Sequence, residues 1–202
     1  MSLFKRLLNI GKKEQESTPD NSQANKFLPE DKPPIDEEFT INFKKNGGKF
    51  LYCENKNEIF DAFDNILVEN DWYETEVYCL DKHLIQTFDG FNLKFQIHRD
   101  TASFMLTTCE SLVADKGSIL LSSNQLKGRK LWELPTNLVL FATTSQIVGN
   151  ISDGMQIINQ QSKKSIPVDI TTIRHFGDNN NDDFMMYGNS NKNLYLLLME
   201  DL

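Results

Sequence analysis

The chain has 202 residues, of which 39% are hydrophobic and 25% are charged, as is typical of a globular protein. This length suits one domain with a full core and is too short for two ordinary domains plus a tail. The formal net charge of -8 argues against a nucleic-acid-binding protein, because most of the surface would repel a polyanion. The apolar runs are far shorter than the roughly 20 residues that cross a bilayer, so no transmembrane helix is predicted.

Residues 1–34 are predicted to form a disordered tail. From residue 11 onward this segment is almost entirely polar, charged or proline, which leaves too little apolar surface to offset the entropy of ordering. Residues 1–10 place five apolar side chains on one helical face around Lys5 and Arg6, which favours weak contact of residues 1–13 with a membrane surface or partner. A frayed, solubilising end is the alternative. No signal-peptide cleavage site follows, so a cytoplasmic location is predicted.

The domain itself is predicted to cover residues 35–202 and to open with a helix, a strand and a second helix. Three acidic residues from Asp36 suit a helix N-terminus, and Gly47 and Gly48 suit its end, which predicts a helix over 36–46. A β-type run follows at 49–53. Apolar residues at helical spacing then predict a helix over 57–70.

Further β-type runs predict a sheet built mainly from parallel strands. They cover residues 76–80, 91–97, 103–107, 118–122, 137–142 and 193–199, and a helical pattern covers 145–160. Strands interleaved with helices indicate a three-layer α/β fold with helices on both faces of the sheet. Ligands of such sheets bind beyond the carboxyl ends of the strands, so the loops after Thr107, Ser122 and Ala142 are the first candidates for a site.

The cysteines predict free thiols in a reducing compartment, not a metal site. Cys53, Cys79 and Cys109 are far apart, odd in number and without a C-x-x-C pair. No cysteine cluster is present to hold an iron–sulfur centre, so no resident cofactor is expected and any redox cofactor would belong to a partner. Cys109 has two interpretations, a reactive thiol or a small core residue.

The stretch from Thr107 to Ser123, TTCESLVADKGSILLSS, and the later GRKLWELP at 128–135 carry a family resemblance. Together they resemble the LUD domain family, which includes the C subunit of bacterial lactate-utilisation systems. In that family a T-G-C-x-x-L-I-A-x-T-G-S-type turn between two strands precedes a G-R-x-L-x-x-x-P-type approach to a third. The opening at 43–53 and the closing strand at 193–201 are also similar, so the resemblance covers residues 35–202.

The resemblance implies the fold shared by CoA-transferases and sugar-phosphate isomerases. It also implies a link to lactate or related organic acids, with iron–sulfur or dehydrogenase subunits of an organic-acid oxidation system as partners. The late S-R-T-A-D-I-E-type and V-H-G-P-type turns of the family are not intact at 172–183 and 187–190. Thr108 stands where glycine is usual and Lys116 where threonine is common. The chemistry of the cleft is therefore expected to differ from that of lactate-utilisation relatives.

Glu110 is the candidate catalytic residue. Fold relatives that transfer CoA attack a thioester with a glutamate carboxylate, an analogy that rests on the fold alone. The alternative is a solvated carboxylate that caps a short helix beginning there.

The candidate ligand-binding residues are Thr108, the residues of one turn, and two arginines. The turn after Thr108 ends in Asp115, Lys116, Gly117 and Ser118, and its backbone N–H groups are candidates for holding a carboxylate or phosphate; an ordinary turn with glycine at positive φ is the alternative. Arg129 and Arg174 are candidates for bidentate contact with a carboxylate. The alternative for each is a surface or ion-pair role. The three histidines are His83, His98 and His175. None has other metal-ligand or catalytic-triad residues at a suitable spacing, so no metal site is predicted.

Three functions remain open from the sequence. The first is a non-catalytic or accessory subunit that binds a small organic anion, the second is a CoA-transferase-like or isomerase-like enzyme that uses Glu110, and the third is a membrane-proximal docking protein. Convergence of Glu110, Ser118, Arg129 and Arg174 on one cleft would favour ligand binding, whereas scatter would favour docking.

Overall fold

A computed structural model of the chain describes residues 33–98, 101–161, 167–177 and 192–201. The predicted tail therefore lies almost wholly outside the described residues, and the membrane-contact prediction for residues 1–13 lies there too. The helices are α1 (Ile35–Lys45), α2 (Lys56–Asn70), α3 (Lys82–Thr87), α4 (Ser123–Leu126) and α5 (Ile151–Gln161). Short 3-10 turns cover Asp89–Phe91, Leu131–Glu133 and Thr144–Gln146. None of the helices in these ranges is long and apolar enough to cross a membrane.

The strands form two sheets. In chain order they are β1 (Lys49–Cys53), β2 (Glu76–Tyr78), β3 (Lys94–Gln96), β4 (Phe104–Thr108), β5 (Ser111–Val113), β6 (Ser118–Ser122), β7 (Asn137–Thr143), β8 (Ile147–Val148), β9 (Ile170–Ile173) and β10 (Asn193–Met199). The main sheet has the order β1-β10-β7-β4-β2-β3, and all its pairings are parallel. The smaller sheet has the order β8-β5-β6-β9.

Both faces of the main sheet are covered by apolar side chains, which confirms the predicted α/β class. Along the central strand β10, Leu196 and Leu198 pack in the core that also contains Phe39 and Phe43 of α1. The alternate residue Leu197 packs on the other face, in the core formed with α2 and α3. A strand that is buried on both faces is apolar at nearly every position, as the sequence of β10 is.

The smaller sheet shares one face of the main sheet with α1, and it corrects the prediction for residues 118–122. That run is a strand, β6, but it pairs antiparallel with β5 and β9 and does not join the parallel sheet. The connection between β5 and β6 is a tight turn, which suits an antiparallel hairpin and is far too short for a parallel crossover. The predicted short helix after Glu110 is also wrong, because Ser111–Val113 form β5.

Other boundaries agree closely with the sequence patterns, with one clear exception. Helices α1 and α2 begin one residue earlier than predicted, and β1, β6 and β10 have the predicted limits. The predicted helix over 145–160 begins only at Ile151, because the 3-10 turn and β8 precede it. Strand β8 pairs with β5, and this tertiary pairing overrides the local helical pattern.

Candidate functional site

A cavity of about 290 Å³ lies beyond the carboxyl ends of β2 and β4. Its lining combines ammonium, hydroxyl, amide and carboxylate side chains, contributed by Leu80, Asp81, Lys82, Thr107, Thr108, Asn124, Gln125 and Lys127. This is the edge of a parallel sheet at which ligands ordinarily bind. We call this cavity the carboxyl-edge cleft.

One wall of the carboxyl-edge cleft is the short helix α4, which is held by a capping box. Ser122 Oγ accepts a hydrogen bond from the backbone N–H of Asn124 at 3.0 Å, and Gln125 Oε1 accepts one from the backbone N–H of Ser122 at 2.8 Å. The reciprocal pattern orients the helix directly at the end of β6. Asn124 and Gln125 therefore reach the cleft from a fixed backbone.

Glu110, in the connection between β4 and β5, accepts hydrogen bonds from side chains at the start of α4. Its Oε1 accepts hydrogen bonds from Ser122 Oγ at 2.6 Å, Gln125 Nε2 at 3.1 Å and Asn124 Nδ2 at 3.5 Å. Its second oxygen, Oε2, has no hydrogen-bond partner within the described ranges. Glu110 thus orients two lining side chains and keeps one carboxylate oxygen unengaged.

Two lysines supply positive charge to the cleft. Lys82 is the first residue of α3, and Lys127 directly follows α4 in the left-handed conformation, with φ 50°. Within the part of the chain that the structure describes, neither ammonium group forms a hydrogen bond or an ion pair. The nearby carboxylate of Asp81 is partly engaged, because its Oδ1 caps α3 by accepting the N–H groups of His83 and Leu84.

Arg129 lies next to the cleft, although it does not line it. Its guanidinium carbon is 5.8 Å from the centre of the Tyr78 ring, which is close enough for a cation–π contact. Tyr78 belongs to β2 and is fully buried, and its hydroxyl has no hydrogen-bond partner among the residues that the structure describes. The predicted residues Thr108, Glu110 and Arg129 are therefore brought to one side of the domain.

The remaining predicted residues of the turn lie at the other end of the β5–β6 hairpin and do not line the cleft. Gly117 has φ 56°, and an added Cβ would lie 2.3 Å from the backbone of Asn42 in α1. The N–H groups of Asp115 and Gly117 already donate to Gly149 and Ala114. The turn is thus packed against α1, which favours the alternative of an ordinary turn with glycine at positive φ. These two N–H groups are not available to an anion.

The amide side chains of Asn42 in α1 and of Asn46, which directly follows α1, bind the backbone carbonyls of this turn. Asn42 Nδ2 donates to the carbonyl of Ala114 at 2.9 Å, and Asn46 Nδ2 donates to the carbonyls of Lys116 and Gly117 at 2.6 and 3.0 Å. Ser118 begins β6 and is fully buried, and its hydroxyl has no partner within the described residues. This end of the hairpin is therefore closed by α1.

Arg174 is exposed and lies away from the cleft. It follows Ile173 at the end of β9, where Ile173 pairs with Ile119 near the start of β6, whereas the cleft lies at the other end of that strand, beyond Ser122. The convergence of Glu110, Ser118, Arg129 and Arg174 on one cleft is therefore not found. Glu110 and Arg129 lie at the cleft end of the hairpin, and Ser118 and Arg174 lie at the closed end.

The cysteines are free, as predicted, and all three are buried. Burial raises the pKa of Cys53 and of Cys79 to about 11. Burial, together with the charge of Glu110, raises the pKa of Cys109 still further above its usual range. A thiol that stays protonated is a poor nucleophile, so the structure favours the core interpretation of Cys109. The described residues contain no group of histidine, cysteine and carboxylate side chains suited to a metal ion.

Sequence reasoning missed six lining residues: Leu80, Asp81, Lys82, Asn124, Gln125 and Lys127. A signal for two of them was present, because Ser122 followed by Gln125 three residues later is the pattern of a capping box. Lys82 had no comparable signal, since α3 is only six residues long and was not predicted.

Comparisons with known proteins place this geometry in a family. No curated protein matches the chain. The fold is similar to the crystal structure of a DUF162 family protein from Deinococcus radiodurans, with a TM-score of 0.59 over 82% of this chain and 96% of that chain, at 15% sequence identity. At that identity the likeness is one of fold alone. The sequence model of the LUD domain matches residues 37–198, and the chain therefore belongs to the LUD domain family.

Proposed function

We propose that this LUD domain binds a small organic anion in the carboxyl-edge cleft and acts as a non-catalytic or accessory subunit in organic-acid metabolism. The observation that carries the proposal is a pair of ammonium groups, those of Lys82 and Lys127, that have no ion-pair partner among the described residues and lie beside hydroxyl and amide side chains in one cavity of about 290 Å³. Sites of this kind are concave and fix a ligand with a few well-placed polar groups.

The chemistry of the lining favours a short carboxylate that also carries a polar group. The lysines offer positive charge to the carboxylate of the ligand. Thr108 and Asn124 offer donors and acceptors to its remaining polar atoms, and both are at least partly accessible. The proposal includes iron–sulfur or dehydrogenase subunits as partners, because the resemblance to lactate-utilisation systems implies them.

Isothermal titration with sodium lactate and sodium pyruvate tests the proposal. We expect saturable binding of at least one of these anions. Replacing Lys82 and Lys127 together by alanine is expected to raise the Kd at least tenfold, because each charged hydrogen bond contributes about 1.5–3 kcal/mol. The matched control replaces Lys45 and Lys94, which are exposed lysines outside the cavity lining, and is expected to bind like the native chain. Absence of saturable binding, or equal loss in the control, would contradict the proposal.

A second candidate is an enzyme that uses Glu110 as a nucleophile, and the unengaged Oε2 favours it. In this reaction Oε2 attacks the carbonyl carbon of an acyl thioester, an acyl-glutamyl anhydride forms, and the CoA thiolate leaves and is protonated by water. Incubation with acetyl-CoA and intact-mass measurement would detect the acylated chain. If the native chain shows no adduct, or if Glu110→Gln shows the same adduct, this candidate is excluded.

A further inference from the structure

We propose that the chain carries a docking surface for an acidic segment of a partner protein that presents an apolar side chain. The surface, here called the Trp132 surface, consists of Lys127, Arg129, Lys130, Trp132 and Val168. It goes beyond the proposed anion site, because its apolar residues lie outside the carboxyl-edge cleft.

The Trp132 surface includes two exposed apolar side chains. Trp132 is 64% exposed and Val168 is 96% exposed. A single exposed valine is ordinary, but a large exposed aromatic side chain is informative, because tryptophan is enriched among the residues that dominate binding energy at protein interfaces.

Trp132 is exposed on a turn that is firmly held. Its neighbours Leu131 and Leu134 are only 7% and 5% exposed, and both pack in the core beneath the main sheet. The backbone N–H of Lys130 donates to Glu133 Oε2 at 2.8 Å, and that of Leu134 donates to the carbonyl of Leu131 at 3.2 Å. The indole is therefore displayed from fixed backbone, which lowers the entropy cost of binding.

Val168 is joined to the same region by polar contacts. Its backbone N–H donates to Ser123 Oγ at 3.1 Å, and the neighbouring Asp169 forms an ion pair with Lys130 at 3.1 Å. Lys130 is two residues from Trp132. The two apolar side chains thus lie on segments that are tied to each other, and protein interfaces commonly combine apolar residues with a charged rim.

Charge decides the kind of partner. The chain carries a net charge of -8, yet the region around Trp132 holds three cations, Lys127, Arg129 and Lys130, against two carboxylates, Glu133 and Asp169. Within the described ranges, the charged groups of Lys127 and Arg129 form no ion pair. A short acidic segment is attracted here and repelled elsewhere on the domain. An extended anionic bilayer would meet the acidic remainder of the surface as well, so a protein segment is favoured over a membrane.

A displayed library of random short peptides tests the inference on the full chain. Peptides bound by a variant with Trp132→Ser and Lys130→Glu are first removed, and the rest are selected on the native chain. The enriched peptides should contain aspartate or glutamate together with an apolar residue. Synthetic copies should bind at least tenfold more weakly to the variant and more weakly in high salt. The matched control carries Val68→Ser and Lys45→Glu, which change exposed residues of α2 and α1, and should bind like the native chain.

Three results would overturn the inference. The first is that no enriched peptide distinguishes the native chain from the Trp132 and Lys130 variant. The second is enrichment of basic or uncharged peptides. The third is binding to phosphatidylserine vesicles, but not to peptides, that the same two substitutions abolish. Thermal melting of each variant checks its folding, and the exposed positions of all four residues make a large loss of stability unexpected.

Discussion

The two ends of the β5–β6 hairpin differ in what their polar groups contact. At the end near Ser122, the side chains of Glu110, Asn124 and Gln125 bond mainly to one another, and the latter two line a cavity. At the end near Gly117, backbone carbonyls are bound by the amide side chains of α1, and a close approach leaves no room for a Cβ. One end therefore keeps polar atoms open to a ligand, whereas the other uses them to hold the fold together.

This difference shows that residues of one continuous sequence motif need not belong to one binding site. The stretch from Thr107 to Ser123 carries the family resemblance as a unit, yet its two halves are separated by the length of the hairpin. The predictions below test that separation, beginning with the largest expected effect.

The substitution Gly117→Ala should lower the free energy of unfolding by about 3 kcal/mol or more, since it combines a positive φ with overpacking. Chemical denaturation measures the change. Gly128→Ala is the matched control, because Gly128 has φ 76° but no atom within 4 Å of an added Cβ. We expect this control to lose about 1 kcal/mol. Equal losses at both positions would mean that contact with α1 does not constrain the turn.

The substitution Glu110→Gln should lower the free energy of unfolding by about 1–2 kcal/mol, because a charged acceptor of three hydrogen bonds is replaced by a neutral amide. It should also weaken anion binding, since Asn124 and Gln125 lose their fixed orientation. Denaturation and calorimetric titration on the same variant measure the two effects. Asp61→Asn, at an exposed position of α2, is the control and should change neither quantity. An unchanged Kd for Glu110→Gln would show that the hydrogen bonds of Glu110 do not contribute to anion binding.

The substitution Asn42→Ala should cost about 1 kcal/mol of stability, because the carbonyl of Ala114 loses its side-chain donor. Anion affinity should stay within twofold of the native value, since this contact lies at the closed end of the hairpin. A melting curve and a titration measure both. A large loss of affinity would show that the two ends are coupled.

The substitution Arg174→Ala should have the smallest effect, within about 0.5 kcal/mol on stability. Arg174 is exposed and lies at the closed end of β6, so anion affinity should not change. Calorimetric titration gives the answer directly. A tenfold loss of anion affinity would show that Arg174 belongs to the binding site and would contradict this placement.

The sequence predicted the main sheet well because its central strands are buried on both faces. Leu194 to Leu198 and Leu138 to Ala142 are apolar without interruption, and that pattern fits parallel strands better than a half-exposed hairpin. The same property misled the assignment of residues 118–122. That run is also uniformly buried, but between the main sheet and α5, and local pattern alone does not reveal which sheet a buried strand joins.

The site was predicted only in part, for a similar reason. Of the three loops that the sequence marked as candidates, those after Thr107 and Ser122 contribute to the cleft lining and the one after Ala142 does not; Glu110 lies beside the lining residues Asn124 and Gln125. Lys82 and Lys127 come from a short helix and a left-handed residue, whose positions depend on tertiary packing. Arg174 was a candidate because its guanidinium suits bidentate contact with a carboxylate, and it lies in a region where the chain departs from the family.

The most direct test of the account is an NMR titration of the isotope-labelled chain with sodium lactate and sodium pyruvate. The account predicts saturable amide shifts at Thr108, Asn124, Gln125 and Lys127, and unchanged amides from Asp115 to Ser118. Saturable shifts confined to Asp115–Ser118 would contradict it, because the anion would then bind at the end of the hairpin that α1 closes.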